Sequence, residues 1–524
     1  MAKIIKEVRR YWWILFIVGL FLVYSYGLGK VPIHLNQDEL EFALNAKSIA
    51  DTGRDLSGKV FPFYFWHLNG FWATPVIVYV TAFVLKFAPL AESTIRLSSV
   101  IIGVSSIALI MLLVQKIFKE KKLTMISGML AATTPVLFIH SRVLLDNLYP
   151  VPFVLLWLLF LYLFKKSKRT SFLFWSGLAL GVGLHSYHAA KIYMPMYFVA
   201  TVAYLIWEKK GNWQRLGSLL IGFLIPVVLF IPWLTKYPDT LLNQVSYIGS
   251  IDKSVDVEKG LLGVFNVARL KQVTDSYGTY FGSRILFTEG DRSLIHSTHK
   301  TGAFLFPVSI FLILGIANVI SNKKDKYPWI LLFGLATYPL APSIVNDPQR
   351  ISRGLIIIPF VLLLSVYGVK FMISSKEKLL KSLAVILLII IPLQFAFFVK
   401  DYFEAYPVRS YHWFNNDIGG ALESAINNTT MREVDTIYID ESIWFIDKYW
   451  DFYQKKFSKE LTNKTIFFNH AKQKFTGFPK GSLVVIQSDH VPKGAPQWVG
   501  NFEKVEIIRE PGGNESFYVY YQNR

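Results

Sequence analysis

The chain has 524 residues, of which 53% are apolar, 16% aromatic and only 17% charged. This composition is more apolar than that of an ordinary soluble domain and predicts that most of the chain faces lipid or other buried helices. The formal charge of +19 does not indicate a nucleic-acid-binding protein, because the basic residues form short clusters between apolar runs. The chain has no cysteine, which excludes disulfides, thiolate nucleophiles and cysteine metal sites.

Apolar runs of roughly 18 or more residues predict transmembrane helices. The first run follows a basic amino terminus, is too long for a signal peptide and has no small-residue cleavage site, so it predicts an uncleaved span. The eleven predicted spans are 11–29, 97–115, 123–140, 147–164, 171–187, 192–207, 216–234, 302–320, 327–345, 354–372 and 382–400.

Clusters of lysine and arginine separate these segments. They lie near residues 3–10, 116–122, 165–169, 209–215, 323–326 and 370–381. All of them fall on one side if the amino terminus is cytoplasmic, as the positive-inside rule requires. The sequence therefore predicts a multi-pass protein of the plasma (inner) membrane whose carboxyl-terminal domain is extracytoplasmic.

Two long outer loops are predicted, at 30–95 and 235–301. Within the first loop, the apolar stretch 75–90 predicts an interfacial helix, because a full span there would put the later basic clusters on the wrong side. The polar tail contains four strand patterns, at 433–440, 481–488, 504–510 and 516–522, and one amphipathic helix pattern at 442–457. The predicted fold class is therefore mainly α, with a transmembrane module at 1–400 and a small α/β domain at 401–524.

Unusual polar residues collect in the outer loops. Asp38 and Glu39 are adjacent carboxylates close to the first span, and such a pair is a candidate catalytic acid or base. Further candidates in the outer loops are Arg54, Arg142, Asp146, His188, Lys191, His296, Arg350 and Arg353. Carboxylates interleaved with cationic side chains suit a reaction between a sugar hydroxyl and an anionic phosphate ester.

The acidic candidates also have structural alternatives. Asp38 and Glu39 at a helix start would stabilise that helix through its dipole. Asp146 follows Arg142 by four residues. The two residues could therefore form an ion pair at a helix end and have no catalytic role.

The basic candidates have alternatives of their own. His188 and Lys191 share one side of a helical end with His185, and this group suits contact with a phosphate, zinc binding with an acidic third ligand, or ordinary hydrogen bonding. His296 has loop ordering as its alternative, and the arginines near 350 could anchor a helix in lipid headgroups.

The order of several segments resembles a known family. After the first span and the acidic pair come TGRD at 52–55, IRLSSVIIG at 95–103 and SRVLLD at 141–146. This layout resembles the dolichyl-phosphate-mannose protein mannosyltransferase superfamily. More narrowly, it is similar to the bacterial phospholipid carrier-dependent glycosyltransferases, which include the lipid A aminoarabinose transferase.

The resemblance implies a C-type glycosyltransferase (GT-C) fold, which binds a polyprenyl-phosphate sugar and transfers the sugar outside the cytoplasm. It matches Asp38 to the catalytic aspartate and Glu39 to the neighbour of that aspartate. It matches Arg142 to a basic residue near the donor phosphate and Asp146 to a second acidic position.

The sequence and the resemblance together predict an inverting membrane glycosyltransferase with Asp38 as general base. The expected partners are a polyprenyl-phosphate sugar, an extracytoplasmic protein, lipid or glycan acceptor and membrane lipid, with no nucleic acid. No cofactor is predicted, and the use of a divalent metal is left open. The donor phosphate is expected at Arg54, Arg142, His188, Lys191, His296, Arg350 and Arg353. The alternative is a lipid-linked sugar transporter or flippase, which would carry ionisable residues midway along its spans.

Overall fold

The structure is a computed structural model of the chain. It describes residues 2–68, 70–241, 243, 246, 255, 257–260, 263, 267–345, 349–471, 478–491 and 502–523, with the backbone alone at 2–12, 259 and 267–268. Part of the predicted outer loop 235–301 lies outside the described residues, and so does Asp347 in the last outer loop.

All eleven predicted spans fall on helix. The helices of this part of the chain are α1 (Ala2–Ser25), α2 (Gln37–Thr52), α3 (Pro75–Leu85), α4 (Glu92–Phe118), α5 (Lys121–Ala132), α6 (Pro135–His140), α7 (Pro150–Ser167), α8 (Ser171–Gly183), α9 (Ala190–Trp207), α10 (Trp213–Lys236), α11 (Val267–Thr279), α12 (Phe306–Ser321), α13 (Tyr327–Thr337), α14 (Leu340–Ile344), α15 (Ile357–Ser374) and α16 (Lys378–Glu404).

Six of the described helices are long and apolar enough to cross a membrane: α4, α7 with the turn before it, α9, α10, α15 and α16. The protein is therefore a multi-pass membrane protein. The first predicted span falls on α1, and the others fall on shorter or interrupted helices, such as α5 and α6, which are separated just before Pro135. Proline is favoured at the first position of a helix. Inside a helix it has no N–H to donate to the carbonyl four residues earlier. The count of eleven and the orientation stay predictions.

The chain between α1 and α4, which the sequence predicts as the first outer loop and which we call the first outer segment, forms a compact unit. It contains α2, the antiparallel hairpin of β1 (Phe65–His67) and β2 (Phe71–Ala73), and α3. Helix α3 has only 11 residues, whereas a span needs about 20, and it shares a buried apolar core with α2. The stretch 75–90 is thus a short helix, as predicted, and its interfacial position stays a prediction.

The tail is a small α/β unit. Its elements are the short helix α17 (Tyr406–Ser410), α18 (Ile418–Met431), β3 (Thr436–Asp440), α19 (Ile446–Lys456), β4 (Thr465–Phe468), β5 (Ser482–Gln487), β6 (Phe502–Arg509) and β7 (Glu515–Gln522). The strand order is β4-β3-β5-β7-β6, in which β4, β3 and β5 are parallel and β7 and β6 continue antiparallel. The four predicted strands and α19 are present. Strand β4 was missed because it has four residues at the sheet edge.

The tail packs directly on the first outer segment. Apolar residues of α18 and α19 share one core with α2 and α3. The Tyr449 hydroxyl donates to the Leu35 carbonyl at 2.9 Å, and Lys456 Nζ lies 2.8 Å from the Glu92 carboxylate. Helix α16 ends at Glu404, close to the domain boundary that we predict at residue 400.

A buried ion pair joins the first outer segment to α4. Arg96 on α4 contacts both carboxylate oxygens of Glu39 on α2, with Nε to Oε1 at 2.9 Å and Nη2 to Oε2 at 3.0 Å. The remaining Arg96 donors bind the carbonyls of Leu28, Pro32 and His34. Both side chains are essentially inaccessible to solvent. Burial removes solvation from both charges, and the hydrogen bonds of the pair offset this cost.

The Glu39 carboxylate makes two further bonds. It accepts the backbone N–H of Asn36 at 3.0 Å, which completes the capping box of α2. It also accepts the backbone N–H of Leu144 at 3.0 Å. One carboxylate therefore fixes the start of α2, the position of α4 and the chain that leads to Asp146.

We expect the substitution Glu39→Gln to destabilise the protein by about 3–5 kcal/mol, because it leaves the buried Arg96 charge uncompensated. Thermal unfolding in detergent measures the effect as a lower melting temperature. The matched control is Asp51→Asn on the same helix, where an exposed pair with Lys47 is worth at most about 1 kcal/mol. Equal melting temperatures for the two variants would contradict this role of Glu39.

Candidate active site

A cavity of about 380 Å³ opens where several loops meet at one end of the helical bundle. Its walls come from the start of α2, the β1/β2 hairpin, and the connections between α6 and α7, between α8 and α9, between α11 and α12, and between α14 and α15. The ionisable residues that line it are Asp38, His67, Asp146, His188, His296, Arg350 and Arg353. Six of these seven were predicted from the sequence, and they come from five separate stretches of chain.

Asp38 is held at the cavity by the cap of α2. Its backbone N–H donates to the Asn36 side chain at 2.9 Å, while its carboxylate is 37% exposed. The nearest ionisable partner is His67, whose Nε2 lies 3.6 Å from Asp38 Oδ1. The His67 ring is stacked on Phe71 and meets the edge of Phe42. The cap of α2 thus fixes the backbone of Asp38, and the Asp38 carboxylate faces the cavity.

The surroundings of Asp38 favour its neutral form. Burial among the cavity walls raises the pKa of Asp38, the positive form of His67 opposes this shift, and the charge of Glu39 adds to it. A carboxylate whose negative charge is poorly solvated is a stronger base than an exposed one.

Asp146 forms the second acidic position of the cavity. Thr74, which directly precedes α3, donates its hydroxyl to Asp146 Oδ2 at 2.9 Å. Asp146 begins a short turn just before α7, two residues after the Leu144 N–H that Glu39 binds. Asp38 and Asp146 therefore depend on the same buried carboxylate for their positions.

Two arginines form the cationic side of the cavity. Arg350 and Arg353 line it from the connection between α14 and α15. The buried Asp291 holds this connection, because its carboxylate accepts the backbone N–H groups of Ser293 and Ser352 at 2.9 Å each. The Arg292 N–H adds a bond to the Gln349 carbonyl at 3.0 Å. Three hydrogen bonds within the chain thereby hold the connection that carries the two arginines.

His296 lines the cavity beside these arginines. Its Nδ1 lies 3.1 Å from Nε2 of His140, and the two rings are stacked. Burial, together with the charges of Arg350 and Arg353, lowers the pKa of His296 to about 3. His296 is therefore neutral at physiological pH and can act as a hydrogen-bond group but not as a cation.

His188 and Lys191 stand at the start of α9. Lys191 Nζ lies 3.5 Å from His188 Nδ1 and 5.0 Å above the Tyr64 ring. Burial, followed by the charges of Lys191 and His67, lowers the pKa of His188 well below its usual value. Of this pair His188 lines the cavity, while Lys191 lies directly behind it.

Besides Lys191, three predicted site residues lie outside the cavity lining. Glu39 is buried in its pair with Arg96. Arg54 is exposed and donates to the Gly58 carbonyl at 3.0 Å. Arg142 is fully buried, where its terminal nitrogens donate to the carbonyls of Tyr24 and Val31 and its guanidinium packs against the rings of Phe138, Tyr402 and Phe403. The structure thus gives Glu39 and Arg142 structural partners.

Several residues of this region were not found from the sequence. His67 and Thr74 belong to a short hairpin with no periodic pattern, so only the tertiary fold brings them to Asp38 and Asp146. Arg96 lies within a sequence segment that carries the resemblance, IRLSSVIIG, and a lone arginine at the start of an apolar span was the available signal.

The lining of the cavity combines two aspartates with two arginines. Buried nitrogens of two lining residues, His67 Nδ1 and His188 Nε2, have no hydrogen-bond partner among the described residues. Buried polar atoms are normally paired, so these nitrogens are available to a polar ligand. Within the described part of the chain, three metal-ligating side chains come together in the tail and not at this cavity.

One family model matches part of the sequence. Residues 73–235 match the sequence model of a family described as dolichyl-phosphate-mannose-protein mannosyltransferase. This stretch includes Asp146, His188 and Lys191. No curated protein matches the sequence.

Two solved structures have a similar fold over nearly the whole chain. The first is ArnT from Cupriavidus metallidurans bound to undecaprenyl phosphate, with 11% identity, a TM-score of 0.52 and coverage of 97% of this chain and 98% of ArnT. The second is the Archaeoglobus fulgidus oligosaccharyltransferase in complex with Zn and sulfate, with 11% identity, a TM-score of 0.50 and coverage of 97% and 73%. The family match and the shared fold confirm the resemblance that the sequence indicated: this chain has the fold of the GT-C glycosyltransferase superfamily.

Proposed function

We propose that this protein transfers a sugar from a polyprenyl-phosphate donor to an acceptor hydroxyl outside the cytoplasm, with inversion at the anomeric carbon. The observation that carries the proposal is that Asp38, Arg350 and Arg353 line the same cavity. A transferase of this class needs a base for the acceptor and positive charge for the leaving phosphate, and the cavity supplies both.

In the proposed step, Asp38 accepts the proton of the acceptor hydroxyl. The acceptor oxygen forms a bond to the anomeric carbon as the bond from that carbon to the phosphate oxygen breaks. The electron pair of the broken bond leaves with the polyprenyl phosphate. Arg350 and Arg353 stabilise the negative charge that develops on the phosphate, because guanidinium groups bind phosphate oxygens in a bidentate manner.

The lipid nature of the donor is supported by the relatives. The solved structure of ArnT contains undecaprenyl phosphate, and the matched family is described by a dolichyl-phosphate sugar donor. The cavity lies at the end of apolar helices, where a lipid-linked phosphate would reach it from the membrane.

The distribution of charge along the spans favours an enzyme over a transporter. Ionisable residues of the long helices lie near their ends, as Arg96 does in α4 and Lys191 does in α9, and the central parts of α4, α7, α10 and α16 carry none. A transporter marks its pathway with ionisable residues in the middle of the membrane. Here the described charges converge instead on one cavity at the helix ends.

The proposal predicts that Asp38→Asn lowers kcat by about 10²–10⁴-fold, the usual contribution of a general base. Asparagine has nearly the same shape and preserves the backbone bond to Asn36, so donor binding should change little. Sugar transfer is followed by mass spectrometry of cell-envelope glycans, and donor binding by titration of the purified protein with polyprenyl phosphate. Asp51→Asn on the same helix is the matched control, because it neutralises a carboxylate outside the cavity. Full transfer activity in Asp38→Asn would remove Asp38 from the mechanism.

The raised pKa of Asp38 predicts the shape of the pH profile. Transfer requires the ionised carboxylate, so kcat/KM should fall as the pH drops through the pKa of Asp38. Because burial raises that pKa, the acid limb should lie above the value of about 3.9 that an exposed aspartate has. The measurement is kcat/KM against pH in detergent or nanodiscs. An acid limb at or below the ordinary aspartate value would contradict the proposed environment of the base.

A further inference from the structure

A second cluster of ligating side chains lies in the tail, away from the cavity. Asp440 is the last residue of β3, His470 follows β4 by two residues, and His490 ends the short turn after β5. These strands are parallel neighbours in the order β4-β3-β5. The carboxyl ends of parallel strands meet at one sheet edge, which is where open α/β sheets bind their ligands.

The three side chains converge on one point. His490 Nδ1 lies 2.7 Å from Asp440 Oδ2, and His470 Nδ1 lies 3.0 Å from the same oxygen. All three ligand atoms lie within 4.8 Å of one another. The two imidazole rings are stacked with their centres 3.9 Å apart, so both present Nδ1 in the same direction.

The burial of the cluster suits a bound ion with one open side. The Asp440 side chain is inaccessible to solvent, whereas the histidines are 22% and 23% exposed. The carboxylate therefore lies at the buried end of the cluster. The two imidazole rings lie at its exposed end, where solvent or a further ligand can reach them.

Ser442 orients the Asp440 carboxylate. Its hydroxyl donates to Oδ1 at 2.7 Å and its backbone N–H donates to the same oxygen at 3.1 Å. Oδ1 also lies 3.1 Å from His470 Nδ1, whereas Oδ2 contacts the Nδ1 atoms of both imidazoles. Ligating carboxylates in metal sites are typically fixed by outer hydrogen bonds of this kind.

We propose that Asp440 Oδ2, His470 Nδ1 and His490 Nδ1 bind one Zn²⁺ ion. Two imidazole nitrogens and one carboxylate oxygen are a donor set that zinc accepts, with a fourth position left for water or a further ligand. Magnesium and calcium prefer oxygen-only sites, so the two histidines select against them. The ion would join the ends of β3, β4 and β5 in the tail, independently of sugar transfer.

The test is a calorimetric titration of the untagged full-length protein in detergent with Zn²⁺, after treatment with a chelator and buffer exchange. We expect binding of one equivalent that His470→Ala and the double variant His470→Ala/His490→Ala abolish. Asp38→Asn, at the cavity, should retain this equivalent. His412→Ala is the matched control, since it removes an exposed histidine of the same tail. Ser442→Ala should weaken Zn²⁺ binding by about 10–100-fold, as loss of an outer hydrogen bond does in other metal sites.

Two further readouts keep the test decisive. Zn²⁺ should raise the melting temperature of the wild type and leave that of the double variant unchanged, and the metal-free forms of both should melt at similar temperatures. Co²⁺ bound to the wild type should give the visible absorption of a tetrahedral site. The proposal is overturned if the wild type binds no Zn²⁺, or if the double variant binds Zn²⁺ as tightly as the wild type. Either result would leave the cluster as a set of hydrogen bonds that joins the strand ends.

Discussion

The buried ion pair of Glu39 and Arg96 is the interaction on which the candidate active site depends. Asp38 can face the cavity only because its neighbour Glu39 turns inward and caps α2, and the same carboxylate holds the chain two residues before Asp146. Arg96 in turn binds three carbonyls of the segment that leads from α1 to α2. The two adjacent carboxylates thus have different roles. Asp38 faces the cavity, and Glu39 holds the backbone segments that position Asp38 and Asp146.

A buried carboxylate also positions the cationic side of the cavity. Asp291 is buried and accepts backbone donors from Ser293 and from Ser352, which is the neighbour of Arg353. Buried carboxylates therefore organise both walls through the backbone, and the side chains of Asp38, Arg350 and Arg353 line the cavity. This arrangement is what electrostatic preorganisation requires, because the groups that meet the developing charge are already in position before the substrate arrives.

The sequence predicted more of the fold than of the site. Apolar runs and basic clusters located the helices, since hydropathy depends on composition alone, and alternating patterns located four of the five tail strands. Asp38, Asp146, His188, His296, Arg350 and Arg353 line one cavity, because the connections that carry them meet at one end of the bundle. Arg142 and Arg54 show the limit of this argument. A charged residue in an outer loop can be buried under aromatic rings, as Arg142 is, or directed to solvent, as Arg54 is, and sequence position does not distinguish these fates. His67 reaches Asp38 from a hairpin that carries no repeating pattern, so it could be found only from the fold.

The most direct test of the account is a structure of the protein with a polyprenyl phosphate, determined by electron cryomicroscopy in nanodiscs. The account predicts phosphate density in the cavity, within hydrogen-bond distance of Arg350 or Arg353 and across from the Asp38 carboxylate, with the lipid chain leading away between helices. Phosphate density at another site, with the cavity beside Asp38 left without lipid, would contradict the assignment of this cavity as the place of sugar transfer.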